Sequence, residues 1–472
     1  MNRDFSFDDG LGKHLALFGG RYMTIADSHL LIDDITDFKK SKSNRSCCLP
    51  RPPDDDDKRL IPLYNILWVE LLPNKKLTID YAARVSKTSI RPETLTFEID
   101  YRSRHCERPE DFVSALMRRA YGDAQRQKRA YVLINPHAGP GGALRKWKRD
   151  VKPIFEMARM VLDVVTLKRG GEAVELVEKM DTNMYDTIVA CSGDGTAHEI
   201  FNGLAKRADA GTALASIAGV VTPLDLVSIT QGDRRTVSFL SQSLGIVAES
   251  DLATEHLRWM GSFRFELGVM TRIFRRKCFP CDIAVKAEVE QKDDVREHYR
   301  RHTSVGGSSI SNHKEEEGLP ALCHGTVEDE LPADWELVPH DKLGTFYCGN
   351  MAYMAPDLNF FSAAVASDGC MDLVTIKGDL SPLTAMQTLM SVETGQFFDS
   401  RHVSYRKVSA YRIIPREQED GYISIDGERV PFEPFQAEVH RGLGRVISKR
   451  GRFEADGPID CGPETIVERL RA

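Results

Sequence analysis

Five residues in the middle of the chain, Ser192-Gly193-Asp194-Gly195-Thr196, carry the sharpest chemical signal. They follow an apolar run, Thr187-Ile188-Val189-Ala190-Cys191, and lead into a helix-like stretch that begins with His198, Glu199 and Asn202. Two glycines around one aspartate let the backbone approach a ligand closely and thrust a carboxylate out at a strand end. Such a carboxylate can accept a proton from a reacting hydroxyl. The competing account is a tight turn in which Asp194 only caps a helix. A second stretch runs Tyr131-Val132-Leu133-Ile134-Asn135-Pro136 and then Gly139-Pro140-Gly141-Gly142. A strand feeding a glycine-rich turn and a helix can cradle phosphate with backbone N–H groups, although a purely structural turn explains it equally well. No G-x-x-x-x-G-K-[ST] occurs, which excludes a Walker-type loop.

These residues need elements to position them. Apolar strand-like runs at 131–134, 161–166 and 187–191 alternate with helix-like runs at 144–159, 173–180 and 197–206. Three β-α units in a row predict a parallel sheet with helices on its faces. Ligands of such sheets bind beyond the carboxyl ends of the strands, so the loops after Ile134, Thr166 and Cys191 should converge. Residues 1–110 read as an extension, irregular to about 60 and β-rich from 60 to 105. A helix with Phe112, Ala115, Leu116 and Ala120 on one stripe opens the α/β domain, 111–223. From 224 to 450 the texture is all β, interrupted by a polar stretch at 288–340 that reads as a disordered insertion. Residues 451–472 read as a tail.

The combination of Asn135-Pro136 with Ser192-Gly193-Asp194-Gly195, His198-Glu199 and Asn202-Gly203-Leu204 resembles the catalytic domain of diacylglycerol and sphingosine kinases. The 244–251 stretch, Leu-Gly-Ile-Val-Ala-Glu-Ser-Asp, with Glu255, Arg258, Gly261 and Arg264-Phe265 after it, is similar to the sphingosine kinase segment that recognises the sphingoid base. Ile425-Asp426-Gly427-Glu428 resembles the family's Asp-Gly-Glu turn, and Asp368-Gly369 also fits its C-terminal domain. The N-terminal module and the Asp251 stretch look most like fungal long-chain-base kinases. The resemblance implies an α/β nucleotide-binding domain and a β-sandwich domain with the cleft between them, plus a small β-rich N-terminal module. It implies an ATP- and Mg²⁺-dependent lipid kinase acting on the primary hydroxyl of sphingoid bases, with diacylglycerol kinase as the alternative. Asp194 would be the catalytic base. Asn135, Pro136, His137, Thr166, Leu167 (where the family has threonine), Gly170, Gly171, Glu199, Arg258, Arg264, Asp426, Gly427 and Glu428 would surround the nucleotide. Ser192, Gly193, Asp194, Gly195 and Asp251 would contact the lipid, Asp251 through its ammonium. No protein metal ligand is assigned. The family's Gly-Ser-Gly-Asn nucleotide turn has no counterpart, because only Ser216-Ile217-Ala218-Gly219-Val220-Val221 stands between Ala215 and Thr222. This favours a third account, a lipid-binding variant without activity.

Composition narrows the partners. A net charge of −7 and a pI near 6.1 over 472 residues do not suit a nucleic-acid binder. Ten scattered cysteines are no disulfide framework, and Cys278-x-x-Cys281 lacks the second pair of a zinc site. Cys47-Cys48 could accept a palmitoyl chain, but two surface thiols are the simpler account. The early acidic and polar residues argue against a secretory leader, and no run approaches the ~20 apolar residues that span a bilayer. The expectation is a cytoplasmic protein that touches intracellular membranes peripherally.

Overall fold

The computed structural model describes residues 13–34, 59–86, 89–103, 106–138, 141–215, 221–252, 273–304, 318–355, 358–416, 418, 421–448 and 455–461. It divides into two compact units, Met1–Ala130 with Leu144–Asp163, and Tyr131–Ala143 with Val164–Ala472. In the first unit, alternating short runs form β1 (His14–Leu17), β2 (Arg21–Ile25), β3 (His29–Asp34) and β4 (Arg59–Pro62), paired in that order. A second sheet holds β5 (Ile66–Leu72), β6 (Lys76–Arg84) and β7 (Ile90–Glu98). An antiparallel bridge between Leu17 and Ile99 stitches β1 to the chain leaving β7. Inward-facing Leu15, Leu17, Met23, Ile25, Leu30, Ile32, Leu77 and Ile79 make one core. The strands between residues 14 and 34 correct the irregular reading there, because strands of four to six residues between polar turns leave little periodicity to see.

Helix α1 (Pro109–Tyr121) closes that core with Phe112, Ala115, Leu116 and Met117. It starts on a proline at its first turn and stops at Gly122, whose φ of 54° suits only glycine. This helix was expected to open the α/β domain; its apolar stripe is buried by the N-terminal sheets instead. The single helix expected at 144–159 is also broken. It runs as α2 (Ala143–Lys146), a π turn (Trp147–Val151) and α3 (Lys152–Met157). Pro153 explains the break, since its ring crowds the carbonyl four residues back and it donates no N–H.

A three-stranded sheet has the order β10-β8-β9, from β8 (Arg129–Ile134), β9 (Val161–Thr166) and β10 (Thr187–Cys191). Leu167 N donates to Ile134 O and Asn135 N to Cys191 O, so all three carboxyl ends lie side by side and the strands run parallel. Helix α4 (Glu172–Lys179) packs against α5 (Asp194–Ala205), and Gly203 permits the approach: a Cβ there would meet Val174 O at 2.8 Å. After α6 (Ala210–Ala215) the chain leaves for the β part, so no described residue adds a fourth strand to this sheet.

The β part starts at 221 rather than 224. It is hydrogen-bonded into one branched sheet of eleven strands. Its strands are β11 (Val221–Gln231), β12 (Arg234–Ser238), β13 (Ser241–Gly245), β14 (Cys281–Val289), β15 (Glu336–His340), β16 (Leu343–Gly349), β19 (Met371–Lys377), β20 (Val403–Pro415), β21 (Ile423–Ile425), β22 (Glu428–Val430) and β23 (Phe435–Ile447). A separate small hairpin joins β17 (Tyr353–Ala355) to β18 (Leu358–Asn359). The fork is at β20, which pairs with β14, β19 and β23. Helices α7 (Ile246–Leu252), α8 (Lys292–Ser304) and α9 (Pro382–Met390) interrupt the strands.

The stretch 288–340 is ordered over much of its length, contrary to expectation. Val295 and Tyr299 of α8 are buried, and β15 pairs with β14. Glu438 accepts from Cys323 N and His324 N, and Arg412 donates to the carbonyls of Thr326 and Asp329. The polarity that suggested disorder is met by polar partners on the sheet. The Gly-Gly and Glu-Glu-Glu runs within it lie outside the described residues. Nor are residues 455–461 a free tail: Cys461 is buried, and Ala455 O accepts from Tyr299 Oη.

A fully buried lysine ties this region together. Lys407 Nζ lies 2.6 Å from Asp368 Oδ2 and 2.9 Å from Asp372 Oδ2, and Tyr405 Oη donates to Asp372 at 2.6 Å. Burial opposes the ammonium, but the two carboxylates outweigh it and keep the pKa above the ordinary lysine value. Removing one partner of such a group leaves buried charge unmatched. Lys407→Met should therefore lower stability by roughly 3–5 kcal/mol in urea unfolding, whereas replacing the exposed Lys342 should change it by less than about 1 kcal/mol.

Candidate active site

Strand β10 delivers Ser192 and Gly193 to its carboxyl end, and Gly193 is the N-cap of α5. Asp194 is the first residue of that helix, exposed, with Oδ1 accepting from Gly195 N at 3.0 Å. Facing it is the two-residue turn between β21 and β22, where Asp426 and Gly427 have φ of 52° and 84°. Two successive left-handed residues make the tight turn that a twisted hairpin requires, and aspartate and glycine tolerate it best. The two turns touch. A Cβ on Gly427 would lie 3.2 Å from Asp194 Oδ2, and one on Gly195 would lie 2.6 Å from Glu428 Oε1.

Asp426 itself points inward and is fully buried. Its Oδ1 accepts from Ser238 Oγ (2.6 Å), Leu240 N (3.0 Å) and Ser241 N (3.0 Å). Its Oδ2 accepts from Phe239 N (3.1 Å) and pairs with His198 Nδ1 (2.9 Å). One turn further along α5, Asn202 grips the backbone of Val237 twice, Nδ2 to O and N to Oδ1, each at 2.8 Å. Its Nδ2 also lies 3.2 Å from His198 Nε2. Burial works against the charged imidazole, but the bond and charge of Asp426, with Glu428 and Glu199 nearby, hold the His198 pKa above its ordinary value. A raised folded-state pKa stabilises fully below the ordinary imidazole value and loses that contribution as pH rises through the folded value.

Residues 13–122 match the Domain of unknown function (DUF7493) family, and residues 129–229 match the Diacylglycerol kinase catalytic domain family. The first match ends where Gly122 stops α1. Sphingoid long chain base kinase 5 of Saccharomyces cerevisiae is 30% identical over 470 aligned positions, covering 81% of this chain and 68% of that protein. The chain belongs to the sphingoid long-chain base kinase family. Sphingoid long chain base kinase 4 of Schizosaccharomyces pombe is 28% identical, covering 84% of this chain and 89% of that one. Sphingosine kinase 1 of Homo sapiens is 24% identical, covering 69% and 92%. A solved diacylglycerol kinase from Bacillus anthracis str. Sterne shares 16% identity at a TM-score of 0.44, covering 68% of this chain and 97% of that one.

The positions expected of this lipid kinase family fall into three groups. Some gather at the strand ends: Asn135 Nδ2 donates to Thr196 Oγ1 (3.3 Å), Thr196 Oγ1 donates to Ser192 Oγ (2.7 Å), and Asn135 Oδ1 accepts from His137 N (3.0 Å). Pro136 is half-buried there, while His137 and Thr166 are exposed. Gly171, with φ 74°, caps α4, and Gly170 has open space where a Cβ would be. Others support rather than face a ligand. Leu167 is a core residue, so only its backbone can serve a nucleotide. Asp426 sits on the turn with its side chain buried beneath it, leaving Gly427 and Glu428 as the exposed part. Glu199 accepts from Gly171 N and Ala173 N, each at 3.0 Å, and so clamps the loop at the start of α4. The rest are not placed: Asp251 belongs to α7, which packs on β13, β16 and β21, and Arg258, Arg264, Gly139 and Pro140 lie outside the described residues. The sequence reading missed the backbone donors of Phe239, Leu240 and Ser241, which no side-chain motif announces.

The Glu199 clamp is measurable. Glu199→Ala removes the acceptor of two helix-start N–H groups, so the amides of Gly171 and Ala173 should lose about 1 kcal/mol of protection in hydrogen exchange. Amides of the neighbouring strand β8 should be unaffected.

Proposed function

We propose that this chain is an ATP-dependent kinase that phosphorylates the primary hydroxyl of sphingoid long-chain bases. The observation that carries the reading is the contact between the Asp194 turn and the Asp426-Gly427-Glu428 turn, at the carboxyl ends of parallel strands. Family membership supplies the reaction class. Asp194 takes the hydroxyl proton as that oxygen attacks the γ-phosphorus and the bond to the ADP oxygen breaks. Such transfer asks mainly for positioning and charge stabilisation. We assign the phosphates to the loops at Asn135–His137 and Gly170–Gly171, with Arg258 and Arg264 as further contacts. Magnesium bound with the nucleotide would offset phosphate charge. Ser192, Gly193 and Gly195 border the acceptor hydroxyl.

Asp251 favours a sphingoid base over diacylglycerol, because a carboxylate rewards an ammonium and leaves a neutral lipid unmatched. Two of the family relatives named above are themselves sphingoid long chain base kinases. Membrane contact is peripheral and on the cytoplasmic side in this reading; among the described residues no helix is long and apolar enough to cross a bilayer. A second reading, lipid binding with little transfer, is favoured by the three-stranded sheet and the absent Gly-Ser-Gly-Asn turn. One aligned backbone donor to developing charge can be worth roughly 3–4 kcal/mol. The purified chain with radiolabelled ATP and a panel of lipids separates the readings.

Asp194→Asn should lower transfer by roughly 10²–10⁴-fold while lipid binding survives; near-normal turnover would remove Asp194 from its role. Asp251→Ala should weaken sphingosine binding by on the order of 2–5 kcal/mol and leave ATP affinity unchanged. Equal weakening toward an N-acylated, uncharged analogue would show that Asp251 does not read the amine.

A further inference from the structure

Asp194 and Glu428 are both carboxylates, and the turns that bear them are in contact. Like charges repel, so the two carboxylates do not hold their turns together by attracting each other. The attraction comes from the same face of α5, where residues 194, 198 and 202 follow at intervals of four. Asn202 anchors the far end through both backbone groups of Val237. His198 lies between, and its partner Asp426 is immobilised by four donors from Ser238 to Ser241. Asp426 also occupies the hairpin turn, next to Gly427 and Glu428. A displacement of His198 is therefore transmitted within one helical turn to Asp194, while Glu428 stays with the sheet.

We propose that His198 is a positioning residue, its Nδ1–Asp426 bond setting where the Asp194 carboxylate stands relative to Glu428. This rests on the kinase reading of the same site. The charged groups that face the imidazole are Asp426 and Glu428 from the hairpin and Glu199 from its own helix, and the amide of Asn202 lies against Nε2. When the ring is neutral, Nδ1–H still donates to Asp426 and Nε2 accepts from Asn202, so the latch operates on either side of its titration. The bond needs a donor at the Nδ1 position more than it needs a charge.

Asparagine places an N–H donor close to that position, and alanine places none. His198→Ala should lower kcat by roughly 10²-fold, the scale of an ångström of misplacement, with KM for ATP and for sphingosine within about twofold of wild type. His198→Asn should recover most of the loss, because its amide restores a donor to Asp426. Hydrogen exchange supplies a readout that needs no turnover: the Gly195 and Gly427 amides should exchange faster in the alanine variant and near wild type in the asparagine variant. A wild-type chain without transfer would sink the kinase reading and leave the latch to be judged by exchange alone. Unchanged exchange in His198→Ala, equal losses in both variants, or a raised KM for ATP at constant kcat would overturn the proposal.

Discussion

A buried carboxylate must spend its lone pairs, and the way Asp426 spends them sets the shape of the site. Hydrogen bonds to a charged group contribute about 1.5–3 kcal/mol each, and leaving such a group unsatisfied costs more than that gain. Asp426 meets the requirement by drawing the 238–241 backbone around itself and by taking the imidazole of His198. The first set bends the chain between β12 and β13, and the second seats α5. Because Asp426 is left-handed and followed by a left-handed glycine, its side chain turns inward while Gly427 and Glu428 are presented outward. Helix α5 and the facing turn thus share one buried anchor, which holds the exposed carboxylate of Asp194 near Glu428 against their mutual repulsion.

The same constraint organises regions away from the site. Glu438, Gln436, Arg412 and Thr230 are buried polar residues of the large sheet, and each meets backbone groups of the 323–329 stretch. That stretch has few apolar side chains of its own, so its order is imposed by donors and acceptors that the sheet cannot leave unpaired. Lys407 does the equivalent work for Asp368 and Asp372, and His298 of α8 joins Asp368 at 3.1 Å. Charge and hydrogen bonding locate these segments, while the apolar core around Phe346, Tyr411 and Phe435 supplies the bulk of the burial.

In the N-terminal unit, by contrast, apolar alternation dominates. Strands of four to nine residues contribute apolar side chains to one core, and α1 seals it. The segment after α3 adds an electrostatic contact: Arg159, left-handed at φ 57°, reaches Glu70 at 3.5 Å and Asp80 at 3.6 Å. Asp80 is nearly buried and also accepts from Thr94. Residues 144–163 therefore group with β5–β7, although by sequence they belong to the kinase catalytic domain.

Residue types and spacing by themselves determined the three parallel strands, the glycine-flanked Asp194 at the end of the third, the Asp426-Gly427 turn and the family. Those signals are local: strand periodicity, glycine where the backbone must turn, and a helix beginning directly after the carboxylate. Only the tertiary structure decided which residues face a ligand and which support one. Asp426 and Leu167 share motifs with exposed neighbours yet are buried, and Glu199 serves the N–H groups of α4. The ordered 318–340 stretch and the placement of α1 were equally hidden. In each case the outcome depends on partners distant in sequence, such as Glu438 for Cys323 or Leu15 and Leu30 for Phe112. Periodicity reports that a face or a polar group needs a partner, but the partner is chosen by packing and by the cost of leaving a buried group unmatched.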